Sequence, residues 1–189
     1  LEQGMTRIER HSPHAVTVPG AVDAWVQLNR DHGSMPLDQI LAAAVGYAHD
    51  GYPITQRVSA DFAREVDILN EAGRAVFAPD GKQLPLGARH AQPALAATLE
   101  RIGREGRAGF YEGPVGEELL SVLKGLGGRH EESDFADAVG DYVTPISTEF
   151  RGNRVWQCPP NGQGVIALLL LNIMSGVETY GDTPLMMFK

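Results

Sequence analysis

The sequence has little of several features that would narrow its function at once. It contains one cysteine, Cys158, so no internal disulfide can form and cysteine usage leaves the compartment open. It has no lysine or arginine run: 16 basic and 24 acidic residues are interspersed, and the formal net charge is -8. This balance argues against nucleic acid or an anionic membrane as the main partner. The longest apolar run, residues 165–171, is far shorter than the roughly 20 residues that a membrane helix needs.

The start of the chain also lacks familiar signals. No signal peptide is visible, and the chain begins at Leu1 without an initiating methionine. We therefore expect the true N-terminus to lie upstream and the chain to be a piece of a longer protein. The sequence leaves the compartment open.

Helical patterns dominate what is present. With 189 residues, of which 43% are hydrophobic, the chain is long enough for one domain with a real core. Apolar spacing together with Gly, Pro, Ser and Thr punctuation predicts helices over residues 21–32, 36–50, 56–69, 92–104 and 115–126, and a short acidic helical turn over 131–138. In the first helix, Ala21, Trp25, Leu28 and His32 share one face, which we expect to pack inward.

The second helix carries a wide apolar stripe. Ile40, Leu41, Ala44 and Val45 lie on it, and residues 165–171 form another apolar helix. One short helical layer cannot cover both, so we expect exposed apolar surface unless another chain or a missing segment covers it.

The β signal lies between residues 142 and 158. Tyr142–Arg151 and Arg154–Cys158 are predicted as two strands joined by a tight turn at Gly152-Asn153, with Phe150 facing Val155. Pro145 cannot donate to a ladder, so the first strand lies at an edge or begins after the proline. A lone hairpin is only marginally stable, and we expect it to join a larger sheet.

The loop Cys158-Pro-Pro-Asn-Gly-Gln-Gly164 has the strand–loop–helix layout of a phosphate site. It lacks the lysine and glycine spacing of a phosphate-binding loop, and it does not match a nucleophile elbow. We interpret it as a structural corner. A catalytic thiol at Cys158 would need a partner histidine, and none follows it, so we predict a buried small hydrophobe there.

Other candidate sites also have simpler interpretations. His11 and His14 are closely spaced, but no second pair gives zinc-ligand spacing. We interpret Glu131, Glu132 and Asp134 as a solvated helix start. Trp25 and Phe62 lie on helix stripes, which predicts core positions. From the residues we therefore predict no catalytic, substrate-binding or metal-binding residue and no cofactor.

The order of short motifs is more informative than any one of them. They are Val16-Thr-Val-Pro-Gly20, Gly33-Ser-Met-Pro-Leu37, Asp50-Gly-Tyr-Pro-Ile54, Gly109-Phe-Tyr-Glu-Gly113, Gly127-Gly128, and Phe150-Arg-Gly152 followed by Cys158–Gly164. Over residues 12–175 this order resembles the large (α) subunit of the γ-glutamyltransferase (γ-glutamyltranspeptidase) family.

The resemblance implies an N-terminal-nucleophile (Ntn) hydrolase with an αββα sandwich in the full protein. In that family a precursor cleaves itself, and the new N-terminal threonine of the small (β) subunit attacks a γ-glutamyl amide of the glutathione type. The family's threonine, oxyanion-hole glycines and substrate-holding serines would lie beyond Lys189, and its carboxylate-gripping arginine before Leu1. The implied partners are the small subunit and a small γ-glutamyl substrate, with no nucleic acid and no membrane span in this segment.

The resemblance also implies a division of the chain. Residues 1–140 would form a helical layer of the large subunit, and residues 141–178 a hairpin and core helix joining the central sheet. Residues 179–189 form an end that is atypical of the family.

Two alternatives stay open. Asn161-Gly-Gln-Gly164 stands where many members have Ser-Ser-Gly-Gly, and it resembles a branch that shades into glutaryl and β-lactam acylases. The other alternative is a non-catalytic helical interaction domain.

Overall fold

Helices carry most of the described chain. The computed structural model describes residues 6–177. Its helices in this range are α1 Ala21–His32, α2 Leu37–Asp50, α3 Gln56–Glu65, α4 Glu71–Phe77, α5 Pro93–Glu105, α6 Ala108–Tyr111, α7 Gly113–Gly125, α8 Glu132–Asp137 and α9 Gly164–Ser175. Its strands are β1 Tyr52–Pro53, β2 Arg89–His90, β3 Ile146–Phe150 and β4 Asn153–Gln157, and short 3₁₀ helices span Pro13–Ala15 and Val66–Ile68. The predicted class, mainly helical with one hairpin, is confirmed.

Local side-chain chemistry sets several helix ends. The Thr55 hydroxyl accepts a hydrogen bond from the Val58 amide at 3.4 Å and caps α3, as predicted. Gly51 follows α2 with φ 80°, which is a conformation that favours glycine. The patterns missed α4 and α6, which have 7 and 4 residues. Segments this short carry too few positions for a periodic signal.

The chain divides into two compact units, Leu1–Gly140 and Asp141–Lys189. In the first unit, α2 packs against α5, and α5, α6 and α7 pack in succession. Val22, Ile102, Tyr111 and Phe135 form its buried cluster. Partly buried side chains around this cluster are Val18, Leu37, Leu41, Leu99, Phe110, Leu119, Leu120, Leu123 and Ala138.

The inward face predicted for α1 is wrong. Its buried residues are Val22 and Asp23, whereas Trp25 is 44% exposed and Leu28 is 51% exposed. The periodicity finds an apolar stripe, but the packing of Val22 in the core cluster and the hydrogen bonds of Asp23 turn the other face inward. The stripe through Trp25 therefore lies on the surface of this unit.

The hairpin of the second unit is shifted from the predicted register. Phe150 pairs with Asn153 and Thr148 with Val155, so the two-residue turn is Arg151-Gly152 and not Gly152-Asn153. Both turn residues have positive φ, 49° for Arg151 and 78° for Gly152. This is the requirement of a type I′ turn. Arginine carries no sequence signal for that conformation, which explains the error.

Helix α9 packs on β3 and β4. Leu168 is buried, while Ile166, Leu169, Leu170 and Ile173 are each more than half exposed. On α2, Ile40 is 47% exposed. The expected exposure is therefore found on α9, whereas on α2 Ile40 and Ala44 are exposed and Leu41 and Val45 are half-buried. Residues 179–189, which we expected to be atypical of the family, lie outside the described range.

Candidate functional site

A buried carboxylate holds the first unit together. Asp23 is 2% exposed, and its carboxylate accepts hydrogen bonds from Gln27 Nε2 at 2.6 Å, the Gly140 amide at 2.7 Å and Arg107 Nε at 3.1 Å. Each carboxylate oxygen therefore has at least one donor, as a buried charge requires. With its acceptor sites engaged in this way, Asp23 is suited to joining segments and not to removing a proton.

Arg107 completes this cluster from the segment between α5 and α6. Its Nη2 donates to the carbonyls of Phe135, Ala136 and Ala138 at 3.0, 2.8 and 3.3 Å, at the end of α8. The guanidinium also lies 4.7 Å from the centroid of the Tyr111 ring, within cation–π range. One side chain thus ties α1, α6 and α8 together.

Tyr111 connects two of the short motifs. Its hydroxyl donates to the Pro19 carbonyl and accepts from the Asp23 amide at 3.3 Å. Burial raises the pKa of Tyr111 above its usual value, so the hydroxyl stays protonated and can donate. Pro19 belongs to Val16–Gly20 and Tyr111 to Gly109–Gly113, so these motifs, distant in sequence, meet in space.

A second polar residue, His90, sits in an aromatic box. Its ring centroid lies 5.8 Å from that of Tyr52, 5.9 Å from Phe62 and 5.6 Å from Phe77. His90 is 3% exposed, and its Nε2 has no hydrogen-bond partner. Burial lowers its pKa below the ordinary value, so the imidazole is neutral at pH 7. The box fastens α3 and α4 to the β1–β2 pair.

Next to His90 lies a cavity of about 400 Å3, lined by β2, the start of α5 and residues of α4. A more apolar groove runs between α2 and α5, and Tyr47, Leu95 and Leu99 contribute to it.

Among residues 6–177, no group of three or more His, Cys, Asp or Glu side chains is placed to hold a metal ion. Nor does this range contain a helix long and apolar enough to cross a membrane.

The loop Cys158–Gly164 is a strand-to-helix corner, as predicted. It joins the end of β4 at Gln157 to the start of α9 at Gly164. A Cβ on Gly164 would lie 2.8 Å from the Cβ of Gln157, so the corner is tight enough to require glycine. The prediction of a buried thiol is wrong, because Cys158 is exposed at the strand end.

The remaining candidates have structural roles. Glu131 and Asp134 form a reciprocal capping box at the start of α8, where the Glu131 amide donates to Asp134 at 2.8 Å, as the helix-start interpretation predicted. Trp25 is exposed and not core, and Phe62 is half-buried in the His90 box. His14 lies in a 3₁₀ turn that Ser12 caps.

Sequence reasoning missed the residues that the structure brings together. Asp23, Arg107 and Tyr111 form long-range hydrogen bonds to residues 28 to 117 positions away, and His90 contacts rings on three other elements. Local spacing carries no such information. The one available signal was Tyr111 inside Gly109–Gly113, which the motif order already marked.

The chain is similar to known proteins over almost its whole length. A family model described as gamma-glutamyltranspeptidase matches residues 2–186. The chain belongs to the γ-glutamyltranspeptidase family. The resemblance drawn from six ordered motifs is thereby confirmed.

Relatives of the chain in the γ-glutamyltranspeptidase family include a protein named as glutathione hydrolase-like and proteins named as acylases. The glutathione hydrolase-like YwrD proenzyme of Bacillus subtilis (strain 168) is 33% identical over 166 residues, 87% of this chain and 32% of that protein. The Acylase ACY 1 proenzyme of Pseudomonas sp. (strain SE83) is 32% identical over 167 residues, 87% of this chain and 30% of that protein. The chain thus spans about a third of the length of these relatives.

The fold agrees with the family. The crystal structure of cephalosporin acylase from Bacillus halodurans superimposes with a TM-score of 0.86 and 33% identity, covering 96% of this chain and 36% of that chain. The described helices and hairpin are therefore the fold of one section of a γ-glutamyltranspeptidase-type protein.

Proposed function

We propose that this chain is part of the large subunit of a γ-glutamyltransferase-like enzyme that transfers or hydrolyses γ-glutamyl groups of glutathione-type amides. The observation that carries the proposal is the family match over nearly the whole chain, from residue 2 to residue 186. The name of the Bacillus subtilis relative, glutathione hydrolase-like, supports this substrate class.

The catalytic nucleophile of the proposed enzyme lies outside these residues. By its resemblance to the family, it is a threonine at the N-terminus of the small subunit, exposed when the precursor cleaves itself. A threonine hydroxyl can use its own α-amino group as base, and the resulting acyl-enzyme passes the γ-glutamyl group to water or to an amine. The acyl-enzyme divides one difficult amide cleavage into two easier steps.

In this proposal the role of the described residues is structural. Asp23 and Arg107 hold α1, α6 and α8 in a fixed arrangement, which suits a helical layer formed by residues 1–140. Within residues 6–177, β3 and β4 form a two-stranded sheet with α9 on it. A two-stranded sheet is marginal by itself, so we assign residues 141–178 to a hairpin and core helix that join the central sheet.

The proposed protein partner is the small subunit released from the same precursor. The Bacillus subtilis and Pseudomonas relatives are both named proenzymes, which supports processing of a precursor. The small-molecule partner is a γ-glutamyl substrate. The net charge of -8 argues against nucleic acid as a further partner.

A second candidate function is an amide acylase of the glutaryl or β-lactam type. The acylase relatives favour it, because the Pseudomonas acylase and the Bacillus halodurans cephalosporin acylase are 32% and 33% identical to this chain. The sequence Asn161-Gly-Gln-Gly164 in the corner loop also favours the acylase, because it resembles the branch of the family that shades into acylases. Both candidates use the same nucleophile and differ in the acyl group accepted.

The test uses the complete protein and two matched substrates. We expect it to split into two subunits on a denaturing gel and then to release the chromophore from a γ-glutamyl anilide, faster when an acceptor dipeptide is present. The covalent intermediate predicts ping-pong kinetics. The matched control is the glutaryl anilide, which lacks only the α-amino group of the γ-glutamyl substrate.

The two candidates give different outcomes. Cleavage of the glutaryl anilide or of a β-lactam side-chain amide, with no turnover of the γ-glutamyl anilide, establishes the acylase. A complete protein that neither splits nor cleaves any of these amides rejects both and leaves the helical interaction domain.

A further inference from the structure

The corner loop between β4 and α9 contains a peptide unit of a chemically reactive type. The sequence has three places where an Asn or Asp precedes a glycine: Asp50-Gly51, Asp80-Gly81 and Asn161-Gly162. The third is the one with an asparagine, whose side-chain amide can be attacked by the next backbone nitrogen. Glycine hinders this attack least, because it has no Cβ and the widest backbone freedom.

Both residues of this unit are accessible and unrestrained. Asn161 and Gly162 are exposed. Within residues 6–177, the Gly162 amide donates no hydrogen bond and the Asn161 side chain makes none. A Cβ built on Gly162 would meet nothing within 4 Å, so the space around its nitrogen is open. The attacking nitrogen and the side-chain amide are therefore free to approach each other.

The two aspartate–glycine units differ in this respect. The Gly51 amide donates to the Tyr47 carbonyl at 3.0 Å, and the Gly81 amide donates to the Ala78 carbonyl at 2.8 Å. An amide in such a bond must give it up before its nitrogen can attack, which costs free energy. In the described part of the chain, the nitrogen of Gly162 is thus the one of the three without this restraint.

We propose that Asn161 is a site of spontaneous deamidation. The Gly162 nitrogen loses its proton to base and attacks Cγ of Asn161, the bond from Cγ to Nδ2 breaks, and ammonia leaves with one proton taken up from water. The product is a five-membered succinimide. Water then opens the ring, leaving its OH on a carbonyl carbon and returning a proton to the nitrogen. Opening at Cγ gives aspartate, and opening at the main-chain carbonyl carbon gives isoaspartate, whose backbone runs through Cγ.

Both products change the corner. Each carries a carboxylate in place of a neutral amide, so the net charge becomes one unit more negative than -8. The isoaspartyl form also lengthens the backbone by a methylene group. The corner has little room for it, because a Cβ on Gly164 would already lie 3.0 Å from the Cys158 carbonyl oxygen. We therefore expect the isoaspartyl form to disturb the start of α9.

The test follows the complete protein during incubation at mildly alkaline pH. In the peptide that trypsin releases after Arg154, we expect a mass gain of about 1 Da at Asn161, the difference between an amide and a carboxyl group. Isoaspartyl methyltransferase, which recognises isoaspartate, should methylate the same peptide. Asn172 is the internal control, because it lies in α9, accepts a hydrogen bond from the Thr148 hydroxyl and precedes an isoleucine. Neither measurement uses enzymatic turnover, so the result is independent of the proposed function.

Protein variants test the two reacting groups. Gly162→Ala adds a Cβ beside the attacking nitrogen in open space, and we expect it to slow the mass gain at Asn161 several-fold. Gly46→Ala is the matched control, since a Cβ on this residue of α2 also meets nothing within 4 Å. It should leave the rate unchanged. Asn161→Ser removes the amide and should abolish methylation of the peptide. Circular dichroism establishes that each variant is folded.

Three results would overturn the proposal. The first is no mass gain at Asn161 in the folded complete protein while the urea-unfolded chain deamidates there, which would mean that the folded protein shields the corner. The second is an equal rate at Asn161 and Asn172, and the third is an unchanged rate in Gly162→Ala. Because the folded and unfolded samples are the unmodified protein, a variant that fails to fold does not weaken the test.

Discussion

Asp23 shows how one buried charge can organise a helical unit. Its carboxylate accepts hydrogen bonds from one donor of its own helix, Gln27, and from two distant residues, Arg107 and Gly140, and its amide contacts Tyr111. The net contribution of such a pair is small against an apolar replacement, but removing one partner leaves the other charge buried and unpaired. Replacing Asp23 with a small apolar residue is therefore expected to lower the free energy of unfolding.

We predict that Asp23→Ala lowers the free energy of unfolding by about 3 kcal/mol, because the Arg107 guanidinium and the Gly140 amide lose their acceptor. Urea unfolding of the complete protein measures this. The control is Asp61→Ala, which removes the surface pair with Arg57 at 2.8 Å. This control is expected to cost less than about 1 kcal/mol. Equal losses in the two variants would show that the Asp23 cluster has no special role.

His90 predicts a dependence of stability on pH. Burial lowers its pKa in the folded state below the value of 6.5 for an unperturbed histidine. The unfolded state therefore takes up the proton first, so the contribution is fully present above pH 6.5 and is lost as the pH falls towards the folded pKa. The slope is at most about 1.4 kcal/mol per pH unit for one proton.

Several charged groups on the elements around His90 have other partners. Arg89 donates to backbone carbonyls, Asp61 pairs with Arg57 and Arg64, and Arg74 donates to the Asp67 carbonyl. We expect His90→Phe to reduce the loss of stability between pH 7.5 and pH 5.5, measured by thermal unfolding. His49→Gln, at an exposed histidine, is the control: the hydrogen bond to Asp50 raises the pKa of His49, so this variant should keep the loss or slightly enlarge it. An unchanged pH profile in His90→Phe would contradict the assignment.

At the scale of elements, the α2–α5 pair depends on close approach at one glycine. A Cβ on Gly103 would lie 2.9 Å from the Cα of Asp38 and 3.2 Å from its Cβ. Backbone at that distance cannot rotate away as a side chain can. The crossing of these helices therefore requires the absence of a side chain at this position.

We predict that Gly103→Ala destabilises the protein by about 1–3 kcal/mol, since the two helices must move apart. Gly46→Ala in α2 is the matched control, because a Cβ there would meet nothing within 4 Å. It should stabilise by up to about 1 kcal/mol, because alanine has the higher helix propensity. Differential scanning calorimetry of both variants measures whether each substitution raises or lowers the stability. A stabilising Gly103→Ala would refute the close-approach argument.

At the scale of the whole molecule, the exposed apolar surface and the greater length of the relatives both fit our proposal that this segment packs against further chain. Ile166, Leu169, Leu170 and Ile173 are exposed on α9. The chain spans about a third of the relatives' length. We propose that further chain covers these side chains in the complete protein, because an apolar surface of this kind is normally buried in an interface.

We predict that residues 1–189 expressed alone bind a hydrophobic dye strongly and show no amide hydrolysis or acyl transfer, because the proposed nucleophile lies elsewhere. The complete protein should bind far less dye per mole. Dye fluorescence and an anilide assay on the two samples check this. Amide hydrolysis by residues 1–189 alone would place a nucleophile in this segment and reject the proposal.

Local chemistry made the element boundaries predictable. Thr55 at a cap, Gly51 after a helix and the proline before β3 act through their own backbone, so their effects are visible in the sequence. The hairpin was predictable, but its register was not. The turn places an arginine, Arg151, at positive φ, and only the pairing of the strands reveals this.

The sequence by itself determined the helical class, the corner at Cys158–Gly164 and, through the order of six motifs, the family. These depend on local propensity and on patterns along the chain. The tertiary structure alone decided that α1 turns Val22 and Asp23 inward, that Arg107 reaches α8, and that His90 closes an aromatic box beside a cavity. Such contacts join residues tens of positions apart, and burial and hydrogen bonding become defined only when the helices have packed.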